Sequence, residues 1–289
     1  MMIWNLGSIN IDAFFGVTHL PAPGETLVAQ SFSQGLGGKG ANMSVAAARA
    51  AAPVSHIGAI GADGRWTRER LMEYGVDVPH IHQIEVPTGL ANIVVDAEGE
   101  NTIILLQGAN GQLTDAMIGA ALAEASPGDF VLMQNETNGQ VYAAQTARSL
   151  GLRVAYAAAP FEADAVAELA GMIDIMILNA VEAAQLEKAT GKPVSEQGIR
   201  DVIVTLGAEG CKWIKESQQQ VFDAYPAQAV DTTGAGDTFT GYLIAGLDRG
   251  LGMEGAIDLA LKAASLMVAR HGTADVIPDL KEIQDQFGL

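Results

Sequence analysis

The stretch Asp231-Thr232-Thr233-Gly234-Ala235-Gly236-Asp237 runs into an apolar helical segment from Thr238 to about Leu247. Gly234, Ala235 and Gly236 put almost no side chain in the way, so a ligand can approach the backbone closely. The first amides of a helix lack internal partners, and the helix dipole adds partial positive charge there. Such a start suits a phosphate, or the charge that grows on a phosphoryl group in transit. Asp237 falls in the first turn. A carboxylate there is a poor phosphate ligand, because like charges repel, but it can take a proton from an attacking hydroxyl. One seven-residue stretch thus offers a base and an oxyanion site, a pairing suited to phosphoryl transfer to an alcohol. An ordinary N-capped helix, with Asp237 complementing the dipole, is the competing reading of the same residues.

A second stretch, Gln34-Gly35-Leu36-Gly37-Gly38-Lys39-Gly40-Ala41-Asn42, matches G-x-G-x-x-G at Gly35, Gly37 and Gly40. That pattern suggests a dinucleotide-binding oxidoreductase, with Asp63 as the ribose acid. The context argues against it, because the preceding segment is short and alternating rather than a buried first strand. The P-loop pattern also fails, since position 33 is Ser and Lys39 is followed by Gly40. What remains is a glycine turn into a helix carrying Lys39 and Asn42, groups that suit a hydroxyl-rich ligand; the structural alternative is a tight packing turn. His80-Ile81-His82 has no further ligand nearby and reads as an exposed loop. Cys211 sits in an alternating, strand-like run and reads as a small packing residue.

The elements that must position these groups follow from hydrophobic patterning. Met2 to Asn10 reads as a buried first strand whose end carries Asn10 and Asp12, on one side if the extended geometry continues. Gly38 to Ala52 is Ala-rich and helical, Val54 to Gly61 is a strand, and Gly64 to Tyr74 is an amphipathic helix. Gly89 to Asp96 and Asn101 to Gln107 form a hairpin-like pair, which with a short strand near Glu25 to Phe32 predicts a small separate sheet, a lid. From Thr114 onward strands and helices alternate. Strands are expected at 130–134, 152–157, 173–178 and 201–206, and a second hairpin at 211–223. Two long helices near 236–249 and 253–270 follow. The strands are continuous apolar runs, as in a parallel sheet covered on both faces. Ligands of such sheets bind at the carboxyl ends of strands. Asn10, Asp12, Glu136, Asn179, Gly207 and Asp237 all follow predicted strands.

Composition sets bounds. The chain has 289 residues, 49% of them hydrophobic, enough for a large core. A net charge of −18 with 16 Lys+Arg argues against nucleic acid or an anionic membrane as the main partner. One cysteine excludes an internal disulfide and fits a reducing compartment. No apolar run reaches the about 18 residues of a membrane span. No secretory signal is evident, and cytoplasmic localisation is the expectation.

Two signatures together are more specific than either alone. Gly37-Gly38-Lys39-Gly40-Ala41-Asn42 through Arg49 resembles the first signature of the ribokinase-like (PfkB-type) carbohydrate kinases, and Asp231 through Gly241 resembles their second. Gly7 to Asp12, Pro23 to Thr26, Met133 to Glu136 and Thr205 to Gly207 resemble family stretches in their usual order. Within the family, the lysine-containing GGKGAN is most like the ribokinases. The resemblance covers nearly the whole chain. It implies a single α/β domain over 1–289: a central, mainly parallel sheet flanked by helices, with a small β-strand lid inserted at about 13–35 and 86–108.

The resemblance also implies an ATP-dependent kinase acting on a primary sugar hydroxyl, with ribose leading. Fructose, 2-keto-3-deoxygluconate or nucleosides are the alternatives within the family, and a sugar- or nucleotide-binding regulator is the alternative outside enzymes. It assigns sugar hydroxyls to Asn10, Asp12, Gly38, Lys39, Asn42 and Glu136. Asp237 would be the base, beside an anion hole at Gly234, Ala235 and Gly236. Asn179, Thr205 and Gly207 would line the nucleotide site. Glu182 would hold Mg²⁺ through water, and Asp231, Thr233 and Gly272 a monovalent cation, K⁺. A homodimer through the lid is also implied. Three departures stand out. Asn179-Ala180-Val181-Glu182 lacks the extra Glu after Asn. The 190–201 segment is short, without the helix usual there. Leu261 and Lys262 stand where the family often places a His or Asn beside adenine.

Overall fold

The computed structural model describes residues 1–216 and 218–288. The chain begins with β1 (Ile3–Leu6), β2 (Asn10–Gly16) and β3 (Ser31–Gly37), then α1 (Lys39–Arg49), β4 (Val54–Ile60), α2 (Arg65–Glu73) and β5 (Ile81–Gln83). It continues with β6 (Gly89–Val95), β7 (Asn101–Leu106), α3 (Asp115–Leu122), β8 (Phe130–Met133), α4 (Gln140–Ser149), β9 (Arg153–Ala157), α5 (Ala163–Leu169), β10 (Ile175–Asn179) and α6 (Ala180–Thr190). After these come β11 (Asp201–Thr205), β12 (Cys211–Lys215), β13 (Gln218–Phe222), α7 (Ala235–Asp248), α8 (Gly252–Met267) and α9 (Leu280–Phe287).

The larger sheet has nine strands in the order β13-β12-β11-β10-β9-β8-β1-β4-β5. From β11 to β5 every pairing is parallel, and the β12–β13 hairpin closes one edge antiparallel. Alternate residues feed two cores. Ile3, Ile175 and Ile177 pack toward α1, α7 and α8, while Trp4, Met176 and Leu178 pack toward α3, α4, α5 and α6. This two-sided burial explains why the strands read as unbroken apolar runs. Helix α7 is buried from Asp237 through Asp248, which fits the apolar run from Gly241 to Leu247.

A second sheet has four strands in the order β3-β2-β6-β7, with β2 and β6 parallel and the outer pairings antiparallel. The small separate sheet expected from the hairpin pattern is therefore present. The apparent first strand is two strands. Residues Ile3 through Asp12 are all buried, so the sequence reads as one run, yet the chain leaves the large sheet after Leu6 and enters the small one at Asn10. Asn10 and Asp12 thus belong to the small sheet.

One more local expectation changes, and two hold. His80 is buried and Ile81–Gln83 is an edge strand rather than an exposed loop; the His80 ring lies 5.8 Å from that of Trp4. Between Thr190 and Asp201 the connection holds only a short 3₁₀ turn at Val194–Glu196. Cys211 is fully buried on β12, and burial pushes its thiol up to about 12, in keeping with a packing residue. No helix among the described residues is long and apolar enough to cross a membrane.

Candidate active site

The turn before α7 is left-handed at its N-cap, Gly234, with φ of 76°. Glycine is the residue that adopts this without cost. Ala235 N–H donates to the Thr232 carbonyl at 3.2 Å. The amides of Gly234, Gly236 and Asp237 have no protein acceptor among the described residues, and the space beside the Gly236 Cα is open. Free amides, a helix start and open space are what an anion requires. Asp237 is 8% exposed and accepts a hydrogen bond from Asn42 Nδ2 at its Oδ2, 2.9 Å. The Asn42 Oδ1 is buried without a partner. One end of Asn42 therefore orients Asp237, and the other remains available to a hydroxyl donor.

Asn42 is on α1, whose entry is built by three close glycines. A Cβ on Gly37 would lie 2.0 Å from the Asp12 carboxylate. Gly38 has φ of 96°, and its Cβ would meet the Ser8 carbonyl oxygen at 2.8 Å. Gly40 packs on Gly7, where the chain crosses between sheets; a Cβ there would lie 2.3 Å from the Gly7 Cα. These glycines admit neighbouring backbone and a carboxylate. Glu136, just past β8, accepts from Ser8 Oγ at 2.6 Å and from the Lys39 amide at 3.0 Å through one oxygen, Oε2. It thereby caps α1 and leaves Oε1 outside these bonds.

Charge binds the cluster. Burial pushes the Asp12 carboxyl up to about 7, and the charges of Glu136 and Asp237 add to it. Lys39 is held above the ordinary lysine value chiefly by Asp237, against the opposing effect of its burial, with Glu136 and Glu182 contributing. Burial raises Glu182, and Asp237 adds to this; the Asn179 amide and Lys39 oppose it. Asp12, Lys39, Glu136, Glu182 and Asp237, from five separate segments, thus share one electrostatic neighbourhood that holds a single ammonium.

The other expected residues lie at strand ends and in one turn. Asn179 ends β10, and Thr205 ends β11 beside it in register. Gly207 is left-handed, with φ of 61°. Asn179 and Glu182 form a capping box on α6: Glu182 N–H donates to Asn179 Oδ1 at 2.9 Å, and Asn179 N–H donates to Glu182 Oε2 at 2.7 Å. Asp231 joins Thr233 and Gly272, accepting from their amides at 2.9 and 3.3 Å. The dinucleotide reading loses its context. Gly35 and Gly37 of the pattern lie within β3, an antiparallel strand of the small sheet, and Asp63 instead accepts from Thr88 at its amide and hydroxyl.

Comparison with known proteins places this geometry. The model of the pfkB family carbohydrate kinases matches residues 2–280. The chain belongs to that family. Ribokinase of Haemophilus influenzae is 36% identical over 96% of this chain and 95% of its own length. Ribokinase of Staphylococcus aureus is likewise 36% identical, over 96% and 97%. The structure of Arabidopsis thaliana ribokinase complexed with ribose and ATP superposes with a TM-score of 0.88 at 28% identity, covering 100% of this chain and 98% of that one. The nine-stranded sheet and the second small sheet of this carbohydrate kinase are thus a ribokinase-like fold.

Two residues of the kinase, Asn110 and His56, carried no sequence signal. Asn110 lies in a short 3₁₀ turn and donates from Nδ2 to Asn10 Oδ1 at 2.8 Å, while its own Oδ1 accepts from the Ile9 amide at 2.9 Å. It fixes the residue that begins β2. His56 bridges Ser44 Oγ at 2.8 Å and the Gly7 carbonyl at 3.0 Å beneath the crossing, and burial depresses its pKa to about 4. Asn135, beside Glu136, has both polar ends occupied: its Oδ1 accepts from Tyr156 OH at 2.5 Å, and its Nδ2 donates to the Pro160 carbonyl at 2.8 Å. Lys262 is buried and donates to Asp258 at 2.8 Å, with its ammonium near the rings of Tyr225 and Phe287.

Proposed function

We propose that this kinase transfers the γ-phosphoryl group of ATP to the primary hydroxyl of ribose, giving ribose 5-phosphate. The observation that carries the reading is a buried Asp237, oriented by Asn42, in the same turn as free amides facing open space. Base and oxyanion donors a residue apart suit in-line transfer, which needs positioning and charge neutralisation more than covalent chemistry. Ribose is favoured over the family's other sugars by the names of the relatives at 36% identity and by the ribose and ATP of the Arabidopsis complex.

In this reading Asn10, Asp12, Gly38, Lys39, Asn42 and Glu136 hold sugar hydroxyls. Asp237 accepts the proton of the attacking hydroxyl, and the turn Gly234-Ala235-Gly236 receives the charge of the phosphoryl group. Because Ala235 N–H is spent inside the turn, the donors are the amides that flank it. Asn179, Thr205 and Gly207 line the nucleotide side. Glu182 would hold Mg²⁺ through water. The fit is good, because its capping bond uses one oxygen and burial keeps the carboxylate half-enclosed. The ion would neutralise triphosphate charge. Asp231, Thr233 and Gly272 would frame a K⁺ site, their closed turn supplying oxygen donors beside the anion hole. Cytoplasmic localisation, where ATP is at hand, and a homodimer through the small sheet complete the proposal.

The test is ADP release from Mg-ATP with ribose, fructose, 2-keto-3-deoxygluconate and nucleosides, in K⁺ buffer, for wild type and Asp237→Asn. Ribose is expected to be the preferred acceptor. The variant, whose amide oxygen can still face Asn42, should bind ribose while losing about 10²–10⁴-fold in turnover. Preference for another acceptor overturns the ribose assignment, and full turnover by Asp237→Asn removes the base.

A further inference from the structure

The sugar-facing strands and the base-bearing turn belong to different parts of the fold, and something must keep them in register. The segment after α8 touches both. Gly272 donates its amide to Asp231 at 3.3 Å, and Asp231 in turn accepts from Thr233, one residue before the Gly234 N-cap of α7. The next residue, Thr273, is 7% exposed, and its Oγ1 donates to the Leu36 carbonyl at 3.1 Å. Leu36 lies on β3, immediately before Gly37, Gly38 and Lys39. Its strand pairs Gly37 with Asn10 and Gly35 with Asp12. The Thr273 Cα also lies 4.0 Å from where a Cβ on Gly234 would sit. Beyond Thr273 the segment is anchored to α1, where Arg49 donates to the carbonyls of Asp275 and Ile277. The Val268 carbonyl, ahead of it, accepts from the amides of both Val230 and Asp231.

We propose that Thr273 is a positioning residue for phosphoryl transfer: its hydroxyl locks β3 of the small sheet to the Asp231–Asp237 turn and so aligns the acceptor hydroxyl with the base. The inference rests on the ribose kinase reading above. Thr273 touches neither the sugar nor the phosphate; it acts through the Leu36 backbone on one side and the Gly234 turn on the other. Misalignment at the reacting atoms is felt in the transition state more than in ground-state binding, so the effect belongs in kcat.

Three variants isolate the hydroxyl. Thr273→Ser keeps it, Thr273→Val keeps the shape without it, and Thr273→Ala removes both hydroxyl and methyl. With wild type active on ribose, Thr273→Val and Thr273→Ala should each lose about tenfold in kcat, the scale of one buried hydrogen bond, with KM for ribose within about twofold. Thr273→Ser should stay within about twofold of wild type in both. Melting temperatures of all three, taken alongside, separate this from a packing role. A packing residue would lower the melting temperature in Ser and Ala alike and leave kcat per folded molecule unchanged. Unchanged kcat in Val and Ala, or a loss in Ser equal to that in Ala, overturns the proposal. If Thr273→Val fails to fold, the Ser and Ala pair decides. An inactive wild type would instead refute the ribose reading, a result distinguishable from either.

Discussion

At the scale of the residue, the site gathers more acid than its one lysine can neutralise. Asp12, Glu136, Glu182 and Asp237 all act on, or are acted on by, Lys39 or one another. The consequence falls on Asp12, whose carboxyl rises from 3.8 to about 7 mainly through burial. Between those values the folded protein holds a proton that the unfolded chain releases, so rising pH favours unfolding across that window. The contribution of Asp12 is fully present below its unfolded value and is lost as pH rises through about 7. Asp12→Asn cannot ionise and escapes the loss. The stability of ligand-free Asp12→Asn, followed by thermal melts, should gain on wild type from about pH 4 to about pH 7 and level off above, by an amount on the order of 4 kcal/mol. A gap that stays flat across this range would mean that Asp12 is ionised throughout. Asp12, Glu136 and Asp237 were legible in the sequence because each follows a predicted strand or lies in a glycine motif, whereas Glu182 was named only by the family resemblance. Their coupling was not, since it comes from separate segments that meet only in the fold: Glu136, Glu182 and Asp237 around Lys39, and Asp12 beside Glu136 and Asp237. Nor was Asn110, an asparagine in a turn with no pattern to set it apart.

At the scale of the element, two helix starts carry the site, and their glycines do different work. In α1, Gly40 meets the Gly7 backbone, so a methyl group has nothing flexible to displace. In α7, Gly236 faces open space. Gly40→Ala should therefore cost about 3 kcal/mol or more of stability through overpacking. Gly236→Ala should leave the melting temperature unchanged or raise it slightly, since alanine favours a helix. It should still lower kcat roughly 10²-fold by filling the anion space, the scale of one oxyanion donor. Thermal melts and kcat on the two purified variants check this, and full activity in Gly236→Ala would remove the anion site from the mechanism. The alternation of strands and helices after Thr114 was readable because burial on both faces leaves unbroken apolar runs. The crossing at Gly7–Ile9 was not readable for the same reason: Gly7, Ser8 and Ile9 are as buried as the strands on either side, so one Gly-Ser pair inside an apolar run did not mark the passage between sheets. The edge strand at Ile81–Gln83 has three residues, too few to show a period. Helix α9 was not read from the sequence, although Asp279 and Glu282 form a capping box at its start. The Asn179–Glu182 pair illustrates the converse: N-x-x-E is a helix start in its own right, whatever ion Glu182 also serves.

At the scale of the whole molecule, the small sheet ends in two edge strands, β3 and β7, and in β7 every residue from Asn101 to Leu106 is exposed. Ile103, Ile104, Leu105 and Leu106 are 49%, 66%, 54% and 53% exposed, and because they are consecutive, both faces of the strand are apolar. An edge of this kind recruits another chain unless it is blocked, and β7 has neither proline nor lysine to block it. A two-fold axis through such an edge lets the same strand serve both copies and closes the assembly at two. Opposing this, each chain brings a net charge of −18, so association should strengthen as salt screens the repulsion. Light scattering should therefore give twice the 30.1 kDa chain mass, with the dimer tighter at 0.5 M than at 0.05 M salt. Ile104→Glu, which sets like charges against each other across the axis, should give a folded monomer with unchanged circular dichroism. A wild-type monomer at about 100 μM would leave this edge without a partner of its own kind. The site would then have to work with a small sheet supported only by its own chain, chiefly through the strands that carry Asn10, Asp12 and Leu36.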